Sequence, residues 1–467
     1  MVLDWFRRLS QKRTTDWIAC IDFGTAYSKA AMVLAENTAD LFPEDIKPLP
    51  IGDGESRSDY LLPSLLFLTD EAILFGKKAD EAAQRGERHG RSAFVSPKQY
   101  LSTHAPQHLD EKLDSEIDPT GHYTAHQLIA LYLAYLLKRA EHAAEQIELD
   151  WPPKLRIARP AWSKDRAEWG EQVLRMLVRE AFLLIEGLGD DLLSEDGVTH
   201  DRVRAVFYEM PEPNSADDDD LFHLAEDGTA TVMEATAVAT GSIRPKGRRI
   251  VVVADIGGGT SDFGAFMTGL PGHKVVSEIR GSSHVLRQAG DVLDMHVRRM
   301  MLSNAGLLQD DPAARGPAMR LRGRQRNLKE RLFQTGEVVE EIGDQFFSLS
   351  LEEFLADPRV QEFSRRLNET FQQALECAVL AAREFPSQGK VTIELMATGG
   401  GAALPMVKDM LRQAEVDWPT KIIEPELFQD ASDDVRTVYP QLVVAIGGAM
   451  KELPKQTAPL TAIPLAS

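Results

Sequence analysis

The apolar positions of this chain follow two different periods. Short apolar runs typical of buried strands occur in WIACIDFG, LLPSLLFLT, KLRIARPAW and RIVVVADI. Between them, TAHQLIALYLAYLLKRAEHAAEQI and SKDRAEWGEQVLRMLVREAFLLI repeat apolar residues every three to four positions, which predicts two long helices, the second with Ser163 as N-cap. Strands that alternate with helices predict an α/β fold.

The second half of the chain continues this alternation. Helices are predicted around Leu293 to Leu308 and Met319 to Phe333, and FFSLSLEEFL reads as a strand followed by the start of a helix. An amphipathic helix in VQEFSRRLNETFQQALECAVLAARE, a strand and turn in VTIELMATGGG and a helix in LPMVKDMLRQAEV follow. The segment after Leu453 has no periodicity and is predicted to be a loose terminus.

An acidic, polar stretch from about residue 187 to 228 interrupts the pattern. It contains PEPNSADDDD and also RVRAVFY, which is interpreted as a strand. We expect most of this stretch to be a solvated surface insertion. A calcium loop is not expected, because four consecutive aspartates lack the alternating ligand spacing and the turn glycine of such a loop.

Charge and cysteine content exclude several classes of protein. The net charge of −20 disfavours a general nucleic-acid partner, and two cysteines far apart in sequence indicate neither a disulfide framework nor a zinc site, which favours the cytoplasm. No apolar run reaches the roughly 20 residues of a membrane span. Residues 1–15, with MVLDWFRRLSQKR, are either a cationic extension or a short interfacial helix that would hold the protein peripherally at a membrane.

The candidate chemistry lies in three glycine-rich turns. ADIGGGTSDFG follows an apolar strand, and the glycines within the segment Ile256 to Thr260 would let backbone N–H groups approach a phosphate chain. Asp255 at the strand end, and Asp22 in IDFGTAYS, are suited to hold a hydrated Mg²⁺ beside those phosphates. A single turn of this kind is a tight connection between strands as often as it is a phosphate-binding site. The pattern matches neither the P-loop nor the dinucleotide fingerprint.

A third turn, ATGGGAALP, completes a set that resembles the ATPase family shared by actin, sugar kinases and the DnaK-type heat-shock chaperones. The resemblance is closest to the chaperones and covers Trp17 to Leu453, through RPAWSKDRAEW, EATAVA, AGDVLDMHV, FSLSLEEFL and VVAIGGAM. It implies two actin-like lobes of ribonuclease H-like topology that flank a central nucleotide cleft. Residues 16–245 would form the first lobe, 246–440 the second and 441–453 a closing helix of the first, with 454–467 as the tail.

The resemblance also implies roles for individual residues with ATP or ADP and Mg²⁺ as cofactors. Asp22, Glu234 and Asp255 would surround the Mg²⁺ and its waters, and Asp262 would lie near the attacking water. Lys98 would orient that water, with Glu234, Asp255, Thr260 and Asp262 completing the catalytic set. Nucleotide contacts are implied for Asp22, Gly24, Thr25, Ala26, Tyr27, Lys29, Gly257, Gly258, Gly259, Thr260, Gly290, Lys329, Gly399, Gly400 and Gly401.

Each of these roles has a simpler alternative or a departure from the family pattern. Glu234 is equally suited to begin a helix and Lys98 to be a solvated lysine. Ala26 replaces a hydroxyl residue of the chaperones, and Lys29 stands where actins place a phosphate-binding lysine. Lys329 matches the adenosine pocket, whereas Arg326 stands where the chaperones have a glutamate, which puts adenine preference in question.

Three functions are compatible with this pattern. The first is a slow, DnaK-like ATPase whose nucleotide state controls a protein partner; no acidic-apolar linker or β-rich peptide-binding domain follows Leu453. The second is an MreB-type bacterial actin that forms nucleotide-dependent filaments, favoured by Lys29 and by residues 1–15. The third, a small-molecule kinase, lacks a recognisable signature around a catalytic aspartate.

Overall fold

A computed structural model describes residues 17–34, 45–52, 58–86, 90–104, 106–151, 154–159, 162, 164–210, 231–243, 247–269, 276–307, 312–384, 391–427, 431–454 and 462–463. Within these residues the fold is mixed α/β, as the two apolar periods predict. The predicted cap Ser163, the tract PEPNSADDDD and residues 1–15 lie outside the described residues.

The described strands are β1 (Trp17–Asp22), β2 (Tyr27–Leu34), β3 (Ile46–Leu49), β4 (Leu62–Pro63), β5 (Leu65–Leu68), β6 (Ala72–Phe75), β7 (Phe94–Val95), β8 (Lys154–Arg159), β9 (Val198–Thr199), β10 (Thr231–Met233), β11 (Arg249–Ile256), β12 (Ser261–Thr268), β13 (Ser277–Glu278), β14 (His284–Leu286), β15 (Glu337–Ile342), β16 (Gln345–Ser350), β17 (Ile393–Thr398), β18 (Thr420–Ile422) and β19 (Ala462–Ile463).

The described helices are α1 (Gly76–Gly86), α2 (Pro97–Thr103), α3 (Pro106–Leu109), α4 (Ala125–Gln146), α5 (Lys164–Leu188), α6 (His200–Glu209), α7 (Glu234–Ser242), α8 (Gly290–Asn304), α9 (Arg315–Thr335), α10 (Leu351–Ala356), α11 (Pro358–Glu384), α12 (Pro405–Arg412) and α13 (Asp433–Gly448), with 3₁₀ turns at Gly189–Leu193 and Pro312–Ala314. No helix in these ranges is long and apolar enough to cross a membrane.

Two large sheets repeat one arrangement of strands. In the first, β1 pairs antiparallel with β2 and parallel with β8, and β8 pairs parallel with β10. In the second, β11 pairs antiparallel with β12 and parallel with β17, and β17 pairs parallel with β18. Antiparallel strands extend the other edge of each sheet, β3 beside β2 and β14 beside β12. Each sheet is therefore centred on a hairpin, and the first strand of that hairpin also pairs with a parallel strand on its other side.

Smaller sheets and three cores complete the architecture. Strands β7, β5, β6 and β9 form a four-stranded sheet, and β15 pairs with β16 alone. One apolar core joins α4 and α5 to the first sheet, a second joins α8, α9 and α11 to the second sheet, and a third lies around α7 and α13. Strand β19 pairs parallel with β14, so part of the segment predicted to be a loose terminus is a strand.

The prediction of a strand in RVRAVFY is wrong, because these residues lie in α6. Thr199 begins the helix, since its side chain accepts a hydrogen bond from the backbone N–H of Arg202, and Val203 and Val206 are buried three positions apart. The expected solvated loop is likewise wrong for residues 189–209, which form a 3₁₀ turn, β9 and α6. Apolar spacing within a charged stretch was the signal for this helix.

The helices α7 and α13 cross with their backbones in contact. A Cβ at Gly447 would lie 1.8 Å from the carbonyl oxygen of Ala237, and a Cβ at Gly241 would lie 2.7 Å from that of Val443, so only glycine fits at either position. Helix α13 packs mainly on β1, β2, β3 and β8 and also contacts β17, whereas α7 packs mainly on β11 and β12 and also contacts β8 and β10. The crossed pair therefore lies between the two large sheets.

The closing helix begins earlier than residue 441, where it was predicted to start. It starts at Asp433 because the Ser432 side chain accepts a hydrogen bond from the backbone N–H of Val435, and it contains Pro440. Beyond its end, the fully buried Arg156 of β8 donates hydrogen bonds to the carbonyl oxygens of Gly448, Met450 and Lys451. This guanidinium attaches the end of the helix to the first sheet.

Candidate functional site

The turns of the two central hairpins lie against each other. A Cβ at Gly258 would lie 3.1 Å from the Cβ of Thr25, and a Cβ at Gly259 would lie 3.2 Å from the Thr25 hydroxyl oxygen. These contacts join residues 23–26, between β1 and β2, to residues 257–260, between β11 and β12. The structure thus brings the first two predicted glycine turns, including Thr260, into one place.

The first turn is itself closed by short-range contacts. A Cβ at Gly24 would lie 1.9 Å from the carbonyl oxygen of Tyr27, and the Gly24 N–H donates to the Ser28 hydroxyl at 3.3 Å. Tyr132 donates to that hydroxyl at 3.0 Å from α4. A glycine is therefore required for the turn, and a buried polar network supports it from behind.

The third glycine turn packs on the base of the second. Gly399 has a φ of +81°, and a Cβ there would lie 2.5 Å from Asp255 Oδ1. The Gly401 N–H donates to the carbonyl oxygen of Ile256 at 2.8 Å, whereas no heavy atom lies within 4 Å of a Cβ at Gly400. The turn after β17 therefore needs glycine at 399 to accommodate the carboxyl of Asp255.

Four carboxyl groups that the sequence assigned to the site share one buried environment: Asp22, Glu234, Asp255 and Asp262. The pKa of Asp255 is raised well above its ordinary value, first by burial and then by the charges of Glu234, Asp262 and Asp22, while Lys29 opposes the rise. The sheet repeat explains this grouping, because Asp22 and Asp255 lie at matching ends of β1 and β11.

Lys98 lies inside this acidic group. It forms a buried ion pair with Glu234, and the side chains of the two residues are 7% and 9% exposed. Burial alone would lower the pKa of Lys98, but Glu234, Asp22 and Asp262 raise it above its ordinary value. A solvated surface lysine is therefore excluded, and Glu234 binds this cation from the first position of α7.

Lys29 lies in the same region on a different carboxylate. Its ammonium group donates to Asp22 Oδ2 at 2.7 Å, and the two residues are opposite each other in the β1–β2 pairing. A Cβ at Gly24 would lie 3.2 Å from the Lys29 Nζ, which places this cation beside the first turn. The structure thus places both lysines at the site: Lys98, which the chaperone resemblance predicted, and Lys29, which stands where actins place a phosphate-binding lysine.

Helix α9 contributes two more predicted cations. Lys329 Nζ lies 2.7 Å from Asp294 Oδ1 and donates to the carbonyl oxygen of Gly290 at 2.9 Å. Arg326 donates to the carbonyl oxygen of Ala26 at 3.4 Å, and its guanidinium lies over the Tyr27 ring at 5.6 Å. Arg326 therefore connects the second sheet's helices to the first turn, in the position where the resemblance expected a glutamate.

Two site residues were not predicted. Asp291, the second residue of α8, accepts a hydrogen bond from Gln99 at 3.0 Å, and a Cβ at Gly259 would lie 3.4 Å from the same carboxylate oxygen. The only sequence signal was adjacency, since Asp291 follows Gly290 and Gln99 follows Lys98. Their contact spans 192 positions and has no local pattern.

The carboxylate group suits a hydrated cation better than a directly coordinated one. Within the described ranges no three His, Cys, Asp or Glu side chains are arranged to hold a metal ion among themselves. Asp22 and Glu234 instead bind Lys29 and Lys98. Because four carboxyl groups face two lysines, the excess of oxygen ligands and negative charge fits a Mg²⁺ that retains its waters.

A separate cavity of about 760 Å³ lies between α1, α4 and the turn before β9. Four of its charged lining residues form ion pairs, Lys77 with Glu81 and Lys78 with Glu195, each at 3.7 Å between nitrogen and oxygen. None of the predicted site residues lines it. The cavity is therefore not part of the candidate site.

The chain matches no protein-family model and no curated protein sequence. What the fold and the site define is a mixed α/β protein in which two equivalent hairpins face each other beside a buried group of carboxylates and lysines.

Proposed function

We propose that this chain is a DnaK-like, ATP-binding protein that hydrolyses ATP slowly with Mg²⁺ and couples its nucleotide state to a protein partner. The two large sheets would be the centres of two actin-like lobes of ribonuclease H-like topology. The nucleotide would lie in the cleft between them. The proposal rests on the resemblance and on the site geometry described above.

One observation carries the proposal: the two hairpin turns of matching sheets meet at Thr25, Gly258 and Gly259, with Asp22 and Asp255 at matching strand ends. A phosphate chain that must be bound by backbone N–H groups from two sides requires such a pair of turns. A single tight connection would leave the second turn and its aspartate unexplained.

Separate groups of residues would bind the phosphates, hold the Mg²⁺ and position the attacking water. Thr25, Thr260 and the glycine turns would bind the phosphates. Asp22, Glu234 and Asp255 would hold the hydrated Mg²⁺, which offsets phosphate charge when bound. Lys98 would orient a water for in-line attack and Asp262 would accept a hydrogen bond from it, so that catalysis is mainly positional and electrostatic.

Coupling to a partner would use the crossed helices. Because α7 packs mainly on the second sheet and α13 mainly on the first, a rotation about their glycine contact would change the relative position of the two sheets and the smaller contacts that each helix makes with the other sheet. A nucleotide between the turns would favour the orientation that both turns contact, and a partner protein would read that orientation.

The proposal is tested by calorimetry of ATP and ADP binding and by single-turnover hydrolysis. The variants are Asp255→Ala, Lys98→Ala and Lys29→Ala, with Lys408→Ala on the exposed face of α12 as a control. We expect Mg²⁺-dependent binding by the wild type and by the control, and a loss of rate of at least about 100-fold in Asp255→Ala. Absence of Mg²⁺-dependent nucleotide binding at millimolar ATP would refute the proposal.

A second candidate, an MreB-type bacterial actin, is favoured by the Lys29 and Asp22 ion pair beside the first turn. In that arrangement Lys29 contacts the phosphates, so Lys29→Ala would lower the rate more than Lys98→Ala. Electron microscopy with ATP and Mg²⁺ separates the two functions, because regular filaments would exclude the partner-coupled ATPase.

A further inference from the structure

Asp291 lies beside the contact between the two hairpin turns. Its backbone N–H donates to the carbonyl oxygen of Gly258 at 2.9 Å, which fixes the start of α8 against the second turn. A Cβ at Gly259 would lie 3.4 Å from Asp291 Oδ2 and 3.2 Å from the Thr25 hydroxyl. A carboxyl group therefore borders the contact between the two turns.

The two oxygens of this carboxyl group have different surroundings. Oδ2 accepts a hydrogen bond from the Gln99 side chain of α2, on the other side of the turn contact. Oδ1 is buried and accepts no hydrogen bond from the residues that the structure describes. One carboxylate oxygen is thus without the donors that would stabilise a negative charge, whereas a protonated Oδ1 needs none.

The charged groups around Asp291 do not neutralise it. Asp294 lies on the same helix, and the nearby cations Arg326 and Lys329 are bound to Asp294 and to the carbonyl oxygens of Ala26 and Gly290. Burial and then Asp294 raise the pKa of Asp291 to about 6, although the backbone N–H of Asp291 itself, Arg326 and Lys329 oppose the rise.

We propose that a phosphate chain binds between the two turns only together with a proton on Asp291. The proton comes from solvent and is held on the carboxyl group, and no covalent bond to the ligand forms. This inference rests on the proposed nucleotide site. It adds that binding takes up one proton and weakens as the pH rises.

The test compares the wild type with Asp291→Asn in calorimetric titrations with ADP and constant Mg²⁺. Asparagine has nearly the same shape, and its side-chain oxygen still accepts the Gln99 hydrogen bond, so the substitution removes the charge and places an NH₂ group at the position of Oδ1. Glu384→Gln at the exposed end of α11 is the control with the same charge change. Titrations in buffers of different ionisation enthalpy measure the protons taken up.

We expect the affinity of the wild type, relative to that of Asp291→Asn, to fall about 25-fold between pH 5.5 and pH 7.5, because the protonated fraction of a group with this pKa falls by that factor. At the higher pH, Asp291→Asn should bind ADP about 30-fold more tightly than the wild type. Titration of ADP itself is common to all three proteins and cancels in the comparison.

The possible outcomes separate this inference from the proposed function. Binding by the wild type without proton uptake, at an affinity equal to that of Asp291→Asn, overturns the inference and leaves the nucleotide site intact. No binding by either protein at any pH refutes the proposed function, and the inference with it. If Asp291→Asn does not fold, Asp291→Ser serves as the neutral variant, and proton uptake by the wild type is measured in either case.

Discussion

Replacing Lys98 by methionine removes the cation of a buried ion pair and keeps most of the side-chain volume. The partner Glu234 would then lie uncompensated near Asp22, Asp255 and Asp262. Loss of one member of a buried pair costs about 3–5 kcal/mol, because a charge is left without its partner at low dielectric. We expect a loss of this size in the free energy of unfolding.

An exposed pair sets the scale for comparison. Arg365 and Glu362 lie 2.6 Å apart, but their side chains are 55% and 46% exposed. Such pairs contribute little to stability, because water screens both charges. Arg365→Met is therefore the matched control for Lys98→Met.

The assay is equilibrium urea unfolding, followed by two spectroscopic probes, of the wild type, the two single variants Lys98→Met and Glu234→Gln, and the double variant. The double variant leaves no uncompensated charge, so it should cost at least about 2 kcal/mol less than the two single variants added together. Strictly additive effects, or a loss below about 1 kcal/mol in Lys98→Met, would refute the reasoning.

The pH dependence of this pair has a defined sign. Folding raises the pKa of Lys98 above its value in the unfolded chain, which is about 10.4. The stabilisation by the Lys98 ion pair is therefore fully present below the unfolded pKa and is lost as the pH rises through the folded pKa. The difference between the wild type and Lys98→Met should therefore be constant from neutral pH to that point and decline above it.

Three further predictions follow from the same structure. Asp255→Asn should abolish ATP turnover yet stabilise the protein by about 1 kcal/mol at neutral pH. Because folding raises the pKa of Asp255, the wild type loses stability as the pH rises from the unfolded to the folded pKa of this group. Identical urea midpoints of the wild type at acidic and neutral pH would contradict this. Gly447→Ala should lower the free energy of unfolding in urea by about 1–3 kcal/mol, because the new Cβ would lie 1.8 Å from the Ala237 carbonyl oxygen unless α7 and α13 move apart. An unchanged urea midpoint would contradict this prediction. Arg156→Met should cost about 2–4 kcal/mol, since buried carbonyl groups such as that of Met450 lose their donor; a thermal midpoint within error of the wild type would exclude that role.

Local patterns predicted the elements of this fold more reliably than their packing. The apolar periods located α4, α11 and the strand β11, because each is set by residues close in sequence. In α6 the same spacing was present, but arginines and an acidic neighbourhood obscured it. The start of α13 was set by a serine cap, Ser432, nine positions before the predicted start and independent of the apolar pattern.

The candidate site could be predicted as a set of residues but not as a set of contacts. Asp22 and Asp255 were recognisable because each ends a strand before glycines. The pairing of Lys98 with Glu234 spans 136 positions and depends on how α2 and α7 meet. Asp291 and Arg326 have roles only through tertiary contacts, with Gln99 and with the first turn, that no local spacing encodes.

The buried Arg156 also bears on how the protein is made. The carbonyl groups of Gly448, Met450 and Lys451, which accept hydrogen bonds from it, are 292 to 295 residues further along the chain, so they are not yet present when β8 leaves the ribosome. At 5–20 residues per second those carbonyl groups follow roughly 15–60 seconds later. During that interval the first sheet lacks α13, and its apolar face is uncovered. Nascent chains stalled before residue 433 should therefore be protease-sensitive throughout β1 to β8, although those strands are fully synthesised.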